Sequence, residues 1–249
     1  MVHADPMPVD MVTVMGRKSE LSQRVLQDMK QMIANNMKMG DPFPTEGDLS
    51  AILGVSRTTI RESIKVLIAT GLLTRNSKGT FVADTATDCL VEPLNVLINL
   101  NIGNVSDLFD LRRTLEVGVA QRAAKVIQPD TIMQLERQVW LMQNPDASEN
   151  DFQKNDITFH QLLAQTAGNS IVIELLNAIR NVIAEKQSST CSFKPMQDAV
   201  VESHKQLIVA LKAHDASRAA QCMDEHMKIS HAFYGYDPSH SDLSDSIAR

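Results

Sequence analysis

Leu53-Gly54-Val55-Ser56-Arg57-Thr58-Thr59-Ile60-Arg61-Glu62-Ser63-Ile64 joins a helix stop to a helix start. Glycine at 54 ends one helix, and Ser56 is a residue type that caps the next by accepting from a first-turn amide. Ile60, Ile64, Leu67 and Ile68 recur at helical spacing, so the second helix has one apolar face. Arg57 and Arg61 lie one turn apart on the opposite face. Two helices around a tight turn, the second opening on a basic turn, is the arrangement that lays a helix in the major groove of DNA. Arginine reads guanine with two hydrogen bonds, while threonine hydroxyls and a helix N-terminus meet phosphate. Candidate DNA contacts are therefore Arg57, Thr58, Thr59 and Arg61, with Lys65 extending the basic stripe.

The flanks agree. Upstream, Leu21, Val25, Met29, Met32, Ile33 and Met37 predict an amphipathic helix over 19–37, ended by Met39-Gly40-Asp41-Pro42-Phe43-Pro44. Thr45 with Asp48 forms a capping-box-like pair that starts the short helix before Gly54. Downstream, Gly71 closes the second helix. Leu72-Leu73-Thr74 and Thr80-Phe81-Val82 then flank the polar tip Arg75-Asn76-Ser77-Lys78-Gly79, which reads as a β-hairpin wing with Lys78 placed for the DNA backbone. An arginine pair alone is ordinary on a solvated helix. The order of helix, turn, helix and hairpin within a basic segment makes 17–83 a winged helix-turn-helix.

The charge distribution supports a division of labour. The 249 residues carry a net charge of −6, yet residues 17–82 alone sum to +4 and residues 83–249 to −8. Only the first module suits phosphate. The length favours two domains. Aromatic residues make up only 4%, and an aliphatic, Met-rich core favours helix packing. No apolar run approaches the ~20 residues of a membrane helix. No signal peptide is legible, and Cys89, Cys191 and Cys222 are too widely spaced for a C-x-x-C motif or disulfide framework, so a reducing cytoplasm is expected.

From residue 84 the pattern is helical. A linker helix is expected at 90–101 within a linker spanning 84–104. Long helices follow at about 105–127, 130–143, 149–167, 170–188, 196–213 and 216–234, separated by Gly, Pro, Asn and Asp. The expected plan is thus mainly α: a flexible 1–16, the reader at 17–83, the linker at 84–104, an all-α bundle at 105–234, and a loose tail at 235–249.

Three of the seven histidines point inward. His204 shares its face with Val200, Val201, Leu207, Ile208 and Leu211; His160 lies among Phe152, Ile157, Leu163 and Ala167 with Asp156 one turn before; His226 sits with Ala219, Met223 and Ser230. A single inward histidine is most often a hydrogen-bonded core residue. Three, with a carboxylate, on three helices form a bundle-core metal pattern, and one divalent ion satisfies polar groups otherwise costly to bury. Zn²⁺, Ni²⁺ and Mn²⁺ all suit such N/O donors.

Residues 43–82, through Phe43-Pro44-Thr45-Glu46, Leu53 to Ile64, Gly71-Leu72-Leu73 and Gly79-Thr80-Phe81-Val82, resemble the GntR family of bacterial repressors. The resemblance implies DNA roles for Arg57, Thr58, Thr59, Arg61 and Lys78. Two positions depart from the family pattern: Gly47 stands where an arginine that contacts DNA is usual, and Ser77 where the wing usually has its first glycine. The later motifs, Arg112-Arg113-Thr114-Leu115-Glu116, Asp156 to His160, Glu202-Ser203-His204 and Glu225-His226, resemble the FCD ligand-binding domain of the FadR subfamily. That likeness implies a divalent ion held by Asp156, His160, His204 and His226, and a small organic acid on the ion and Arg112. It also implies a regulator, expected to be a repressor, acting as a homodimer on a palindromic double-stranded operator. A structural metal without effector is the alternative, and Arg112 paired with Glu116 as an ordinary i,i+4 pair is the plain reading of that arginine. A metal-dependent hydrolase is remote, because no glutamate adjoins the histidines as in H-E-x-x-H.

Overall fold

The computed structural model describes residues 9–186 and 194–232. They form ten helices and one hairpin: α1 (Val9–Asn36), α2 (Glu46–Leu53), α3 (Arg57–Ala69), β1 (Leu73–Asn76), β2 (Gly79–Val82), α4 (Thr87–Asn99), α5 (Val105–Ala124), α6 (Pro129–Met142), α7 (Glu149–Ala167), α8 (Ser170–Lys186), α9 (Lys194–Lys212) and α10 (Ala216–Ala232). The chain divides into two compact units, Met1–Glu92 and Pro93–Arg249, so the division falls inside α4. N-terminal helices with a small wing precede an all-α bundle, as expected. α1 begins at Val9, so it takes in residues 9–16 of the expected lead, and no proline interrupts it after Pro8. Residues 1–8 and the expected tail at 235–249 lie outside the described residues.

In the first unit, local chemistry sets each boundary. The Thr45 hydroxyl accepts from the Asp48 amide, and the Asp48 carboxylate returns the bond to the Thr45 amide at 3.3 Å, a reciprocal box that starts α2. Gly54, at φ +67°, takes the left-handed turn that ends it. Ser56 caps α3 by accepting from Thr59. Strand β1 pairs antiparallel with β2 in the register Leu73 to Val82 and Asn76 to Gly79. The segment before α2 adds to that ribbon: the Phe43 amide donates to the Thr80 carbonyl at 2.8 Å, and the Val82 amide to the Asp41 carbonyl at 2.9 Å. Val25, Met29, Phe43, Leu49, Ile60, Ile64, Leu67, Leu73 and Val82 form the shared core. Burying such side chains is worth about 1.5–3 kcal/mol each, and this holds α3 at a set angle to α2.

The second unit packs α5, α6, α7, α9 and α10 around an apolar core from Val119 to Met227, with Leu176 of α8 joining it. Asn104 and Ser148 cap α5 and α7 in reciprocal boxes with Asp107 and Asp151. Gly168 ends α7 at φ +72°, and Asn169 and Asp215 receive first-turn amides at the starts of α8 and α10. Among the described residues no helix is long and apolar enough to cross a membrane.

Candidate DNA interface and metal centre

The N-terminal turn of α3 presents Arg57, Thr58 and Thr59 outward, with Arg61 and Lys65 one and two turns on. All five are exposed or half-exposed, as phosphate- and base-reading side chains must be. Their partners differ. Arg61 lies against Glu46 of α2, with Nη2 2.8 Å and Nε 3.1 Å from Oε2. Arg75 of the wing approaches the same carboxylate at 3.7 Å. Hydrogen bonding to Arg61 holds the Glu46 carboxyl below its ordinary pKa. Lys65 pairs with Glu62 on its own helix at 2.9 Å. The guanidinium of Arg57 reaches over Gly47, where a Cβ would meet Nη2 at 3.6 Å. At the wing tip the Lys78 amide donates to Asn76 Oδ1 at 2.8 Å, which tightens the turn. Periodicity had not indicated that Glu46 faces this surface; it lies fifteen residues from Arg61, and only the turn at Gly54 brings the two together.

In the second unit, Asp156 and His160 of α7, His204 of α9 and His226 of α10 converge, each offering a donor atom within 4.8 Å of the others. The three rings are buried, and Asp156 is 25% exposed at its side chain. Proton positions follow from the partners. Ser203 Oγ donates to the Val200 carbonyl at 2.7 Å, so toward His226 it is an acceptor and takes Nδ1–H at 2.9 Å. That leaves a lone pair on His226 Nε2. His160 Nδ1 faces Glu116 Oε2 at 3.1 Å, off the axis of a well-aligned hydrogen bond but close enough for the carboxylate to favour a proton there. The two Nε2 atoms, 3.1 Å apart, therefore meet lone pair to lone pair. Asp156 Oδ1 and both nitrogens of His204 have no hydrogen-bond partner among the described residues. Ser230 Oγ lies 3.5 Å from His226 Nε2, at the edge of hydrogen-bonding range.

Unpartnered buried acceptors cost about 1–3 kcal/mol each. One cation among them removes several such penalties together. Donors about 2.1 Å from one ion lie ~3.4 Å apart at tetrahedral angles, so the atoms, now within 4.8 Å of one another, draw together by up to ~1.4 Å on binding. The donor set of three imidazoles and one carboxylate fits a divalent ion of intermediate softness. Burial first, then the neighbouring imidazoles, push His204 and His226 well below the ordinary histidine pKa, so both rings are neutral near pH 7, the form that can bind a metal.

Beside this cluster opens a cavity of about 360 Å³. Arg112, Arg180, Asp156 and Glu149 supply its charge, and Phe109, Phe152, Ile183, Met196 and Val200 its apolar wall. Arg112 is not an exposed surface arginine. Its side chain is 11% exposed, and Nε stands 3.5 Å from Glu116 Oε1. Glu116 also accepts from Arg180 Nη2. Burial opposes its charge, but His160, Arg180 and Arg112 together outweigh that and hold its carboxyl well below the usual range. Glu116 as a shared partner, Arg180 and Ser203 were not anticipated. Their signal lies in the pattern: Arg180 interrupts the apolar series Leu176, Ile179 and Ile183, and Glu116 stands one turn from Ala120 on the inward face of α5.

A model of the bacterial regulatory proteins of the gntR family matches residues 21–82, and a model of the FCD domain matches residues 107–228. The chain is 28% identical over 219 residues to the uncharacterized HTH-type transcriptional regulator YcbG of Bacillus subtilis, covering 88% of this chain and 91% of that protein. It is 26% identical over 223 residues to a putative L-lactate dehydrogenase operon regulatory protein of Escherichia coli K12, covering 85% of each. Among solved structures, Streptococcus agalactiae GntR aligns with a TM-score of 0.60 at 25% identity, covering 86% of this chain and 98% of that one.

Proposed function

On the premise that this chain is a GntR-family transcriptional regulator of the FCD type rather than an enzyme, we propose that it is a repressor whose operator binding is governed by a small organic acid. The acid binds in the cavity beside Asp156, His160, His204 and His226, which hold a divalent ion, and Arg112 meets its carboxylate. The observation that carries this reading is the convergence of three buried imidazoles and one carboxylate, with Asp156 Oδ1 and both His204 nitrogens unpartnered among the described residues, beside a cavity lined by Asp156 and two arginines. An ion bound there supplies concentrated positive charge to an anionic ligand, in a domain whose net charge is otherwise negative. Arg112 adds a forked donor that suits a carboxylate.

Arg57, Thr58, Thr59, Arg61, Lys65 and Lys78 carry the DNA contacts. A homodimer places two readers on a palindromic operator. The seven helices α4 to α10 favour the longer, FadR-type form of the sensor. α4 carries the chain from one unit to the other, and through it an effector that prefers one arrangement of the readers changes DNA affinity, with a typical coupling of about 1–3 kcal/mol. The relative described as an L-lactate dehydrogenase operon regulator makes short 2-hydroxy acids the first probes to test.

The decisive experiment is a thermal-stability screen of metal-loaded protein against hydroxy acids and sugar acids, followed by operator titrations with the best ligand. The expected result is ligand-dependent stabilisation, with altered operator affinity that disappears in Arg112→Ala and His204→Ala. A metal content of zero after chelator-free purification, together with no uptake on titration, rejects the site. Metal binding without any acid response leaves a structural ion and constitutive DNA binding.

A further inference from the structure

Glu116 touches both halves of the proposed site, an imidazole of the donor cluster and two arginines of the cavity. Its side chain is fully buried in α5; Oε2 stands 3.1 Å from His160 Nδ1, Oε1 accepts from Arg180, and Arg112 Nε lies 3.5 Å from the same oxygen. His160 belongs to the donor cluster through its other nitrogen, while Arg112 and Arg180 line the cavity. A buried carboxylate with these three neighbours serves more than one end. Toward His160 it selects the tautomer with the proton on Nδ1, which frees Nε2 for an ion and makes it a better donor. Toward the arginines it sets where two guanidinium forks can point. We propose that Glu116 is the positioning residue of the sensor: it aims His160 at the ion and holds Arg112 and Arg180 for the anion, so one side chain sets both affinities. This inference rests on the metal reading given above.

The charge arrangement explains why a carboxylate, and not an apolar residue, occupies this point. Arg112 and Arg180 repel one another in a buried space, and without Glu116 the negative charge set against them would be reduced. With it, one negative charge is shared among two guanidiniums and one imidazole, and the arginines retain donors for an incoming carboxylate. Arg180 Nε is an unpartnered buried donor among the described residues, and the cavity reaches this arginine.

The test uses the full-length protein, Co²⁺ as the metal probe and oxalate as the anion probe, with wild type and Glu116→Gln. Glutamine keeps the size of the side chain and removes its charge. The expected result is Co²⁺ affinity reduced 10–100-fold, a changed visible d–d absorption band, and weaker oxalate binding to protein saturated with Co²⁺. A role in packing alone would leave the band unmoved. Should Glu116→Gln fold and match wild type in all three readouts, Glu116 does not position the site although the metal reading stands. Should wild type take up no Co²⁺, the metal reading fails and this inference with it. If the glutamine variant does not fold, ¹⁵N-histidine spectra of Zn²⁺-loaded wild type decide: His160 must bind metal through Nε2 and keep its proton on Nδ1, and binding through Nδ1 overturns the proposal.

Discussion

Each unit has one glutamate gripped by two arginines, and the two settings give the same chemistry opposite consequences. Glu46 is 24% exposed and meets Arg61 and Arg75 at the edge of the proposed DNA-reading surface. Glu116 is 0% exposed and meets Arg180 and Arg112 beside the donor cluster. At the surface, water and salt screen each charge, so the pair contributes little stability and an arginine can exchange its carboxylate for a phosphate at small cost. In the interior no such exchange is open. Removing one partner leaves a charge without water or counter-ion, and the attraction is far stronger in the lower dielectric. Exposed ion pairs thus suit a surface proposed to release its arginines to DNA, and buried ones suit a site proposed to hold its geometry for a ligand.

The largest expected effect is in the buried set. Arg180→Met should destabilise the protein by about 3–5 kcal/mol, tending to the lower figure because Arg112 and His160 still face Glu116; urea unfolding of metal-free protein measures it. A loss below 1 kcal/mol would mean that water reaches Glu116 and that the contrast between the two units is weaker than drawn.

Acidification separates the units next. His204 and His226 are held well below the ordinary histidine value in the fold, so the unfolded chain binds protons that the native chain does not. Stability of the metal-free protein therefore falls as pH drops below ~6.5, the ordinary histidine pKa. Glu116 acts in the same direction but in a lower window, which opens only below the ordinary carboxylate pKa. Its depressed carboxyl keeps contributing until the pH falls well below its ordinary value. Thermal melts from pH 7.5 to 5.5 should show the loss in wild type and a smaller one in His204→Phe; equal slopes would remove His204 from the buried neutral set.

For the reader, Arg57→Ala should cost about 2–3 kcal/mol of operator affinity and Arg61→Ala about 1–2, within the range for base-reading arginines. The order follows from Glu46, which Arg61 must share or leave on binding DNA, whereas Arg57 reaches over Gly47. Fluorescence anisotropy on a mapped operator tests both, and the reverse order would make Glu46 an organiser of Arg61 rather than a competitor. The smallest change is Glu46→Gln, expected to shift folding stability by less than ~1 kcal/mol. It should raise non-specific DNA affinity and steepen its salt dependence, since Arg61 and Arg75 are released toward phosphate.

Much of the protein was legible from periodicity and local chemistry. Apolar spacing predicts every helix from α4 to α10 to within about three residues at each described end, because amphipathic helices and their caps are written in neighbouring residues. The convergence of Asp156, His160, His204 and His226 was legible too, since each faces inward on its own helix and three inward imidazoles need a common partner. What the sequence alone determined, then, is each helix, its apolar face, the hairpin, and the inward turn of Asp156, His160, His204 and His226. Only the tertiary structure decided which of those inward residues meet. Glu116 and Arg180 lie 64 positions apart, and nothing in the spacing within α5 or α8 says that α5 packs against α8 or in what register. The same holds for Ser203 with His226, which fixes a ring tautomer across two helices. Burial is a property of a face and can be read along one helix, whereas an ion pair in the interior depends on how two faces are stacked.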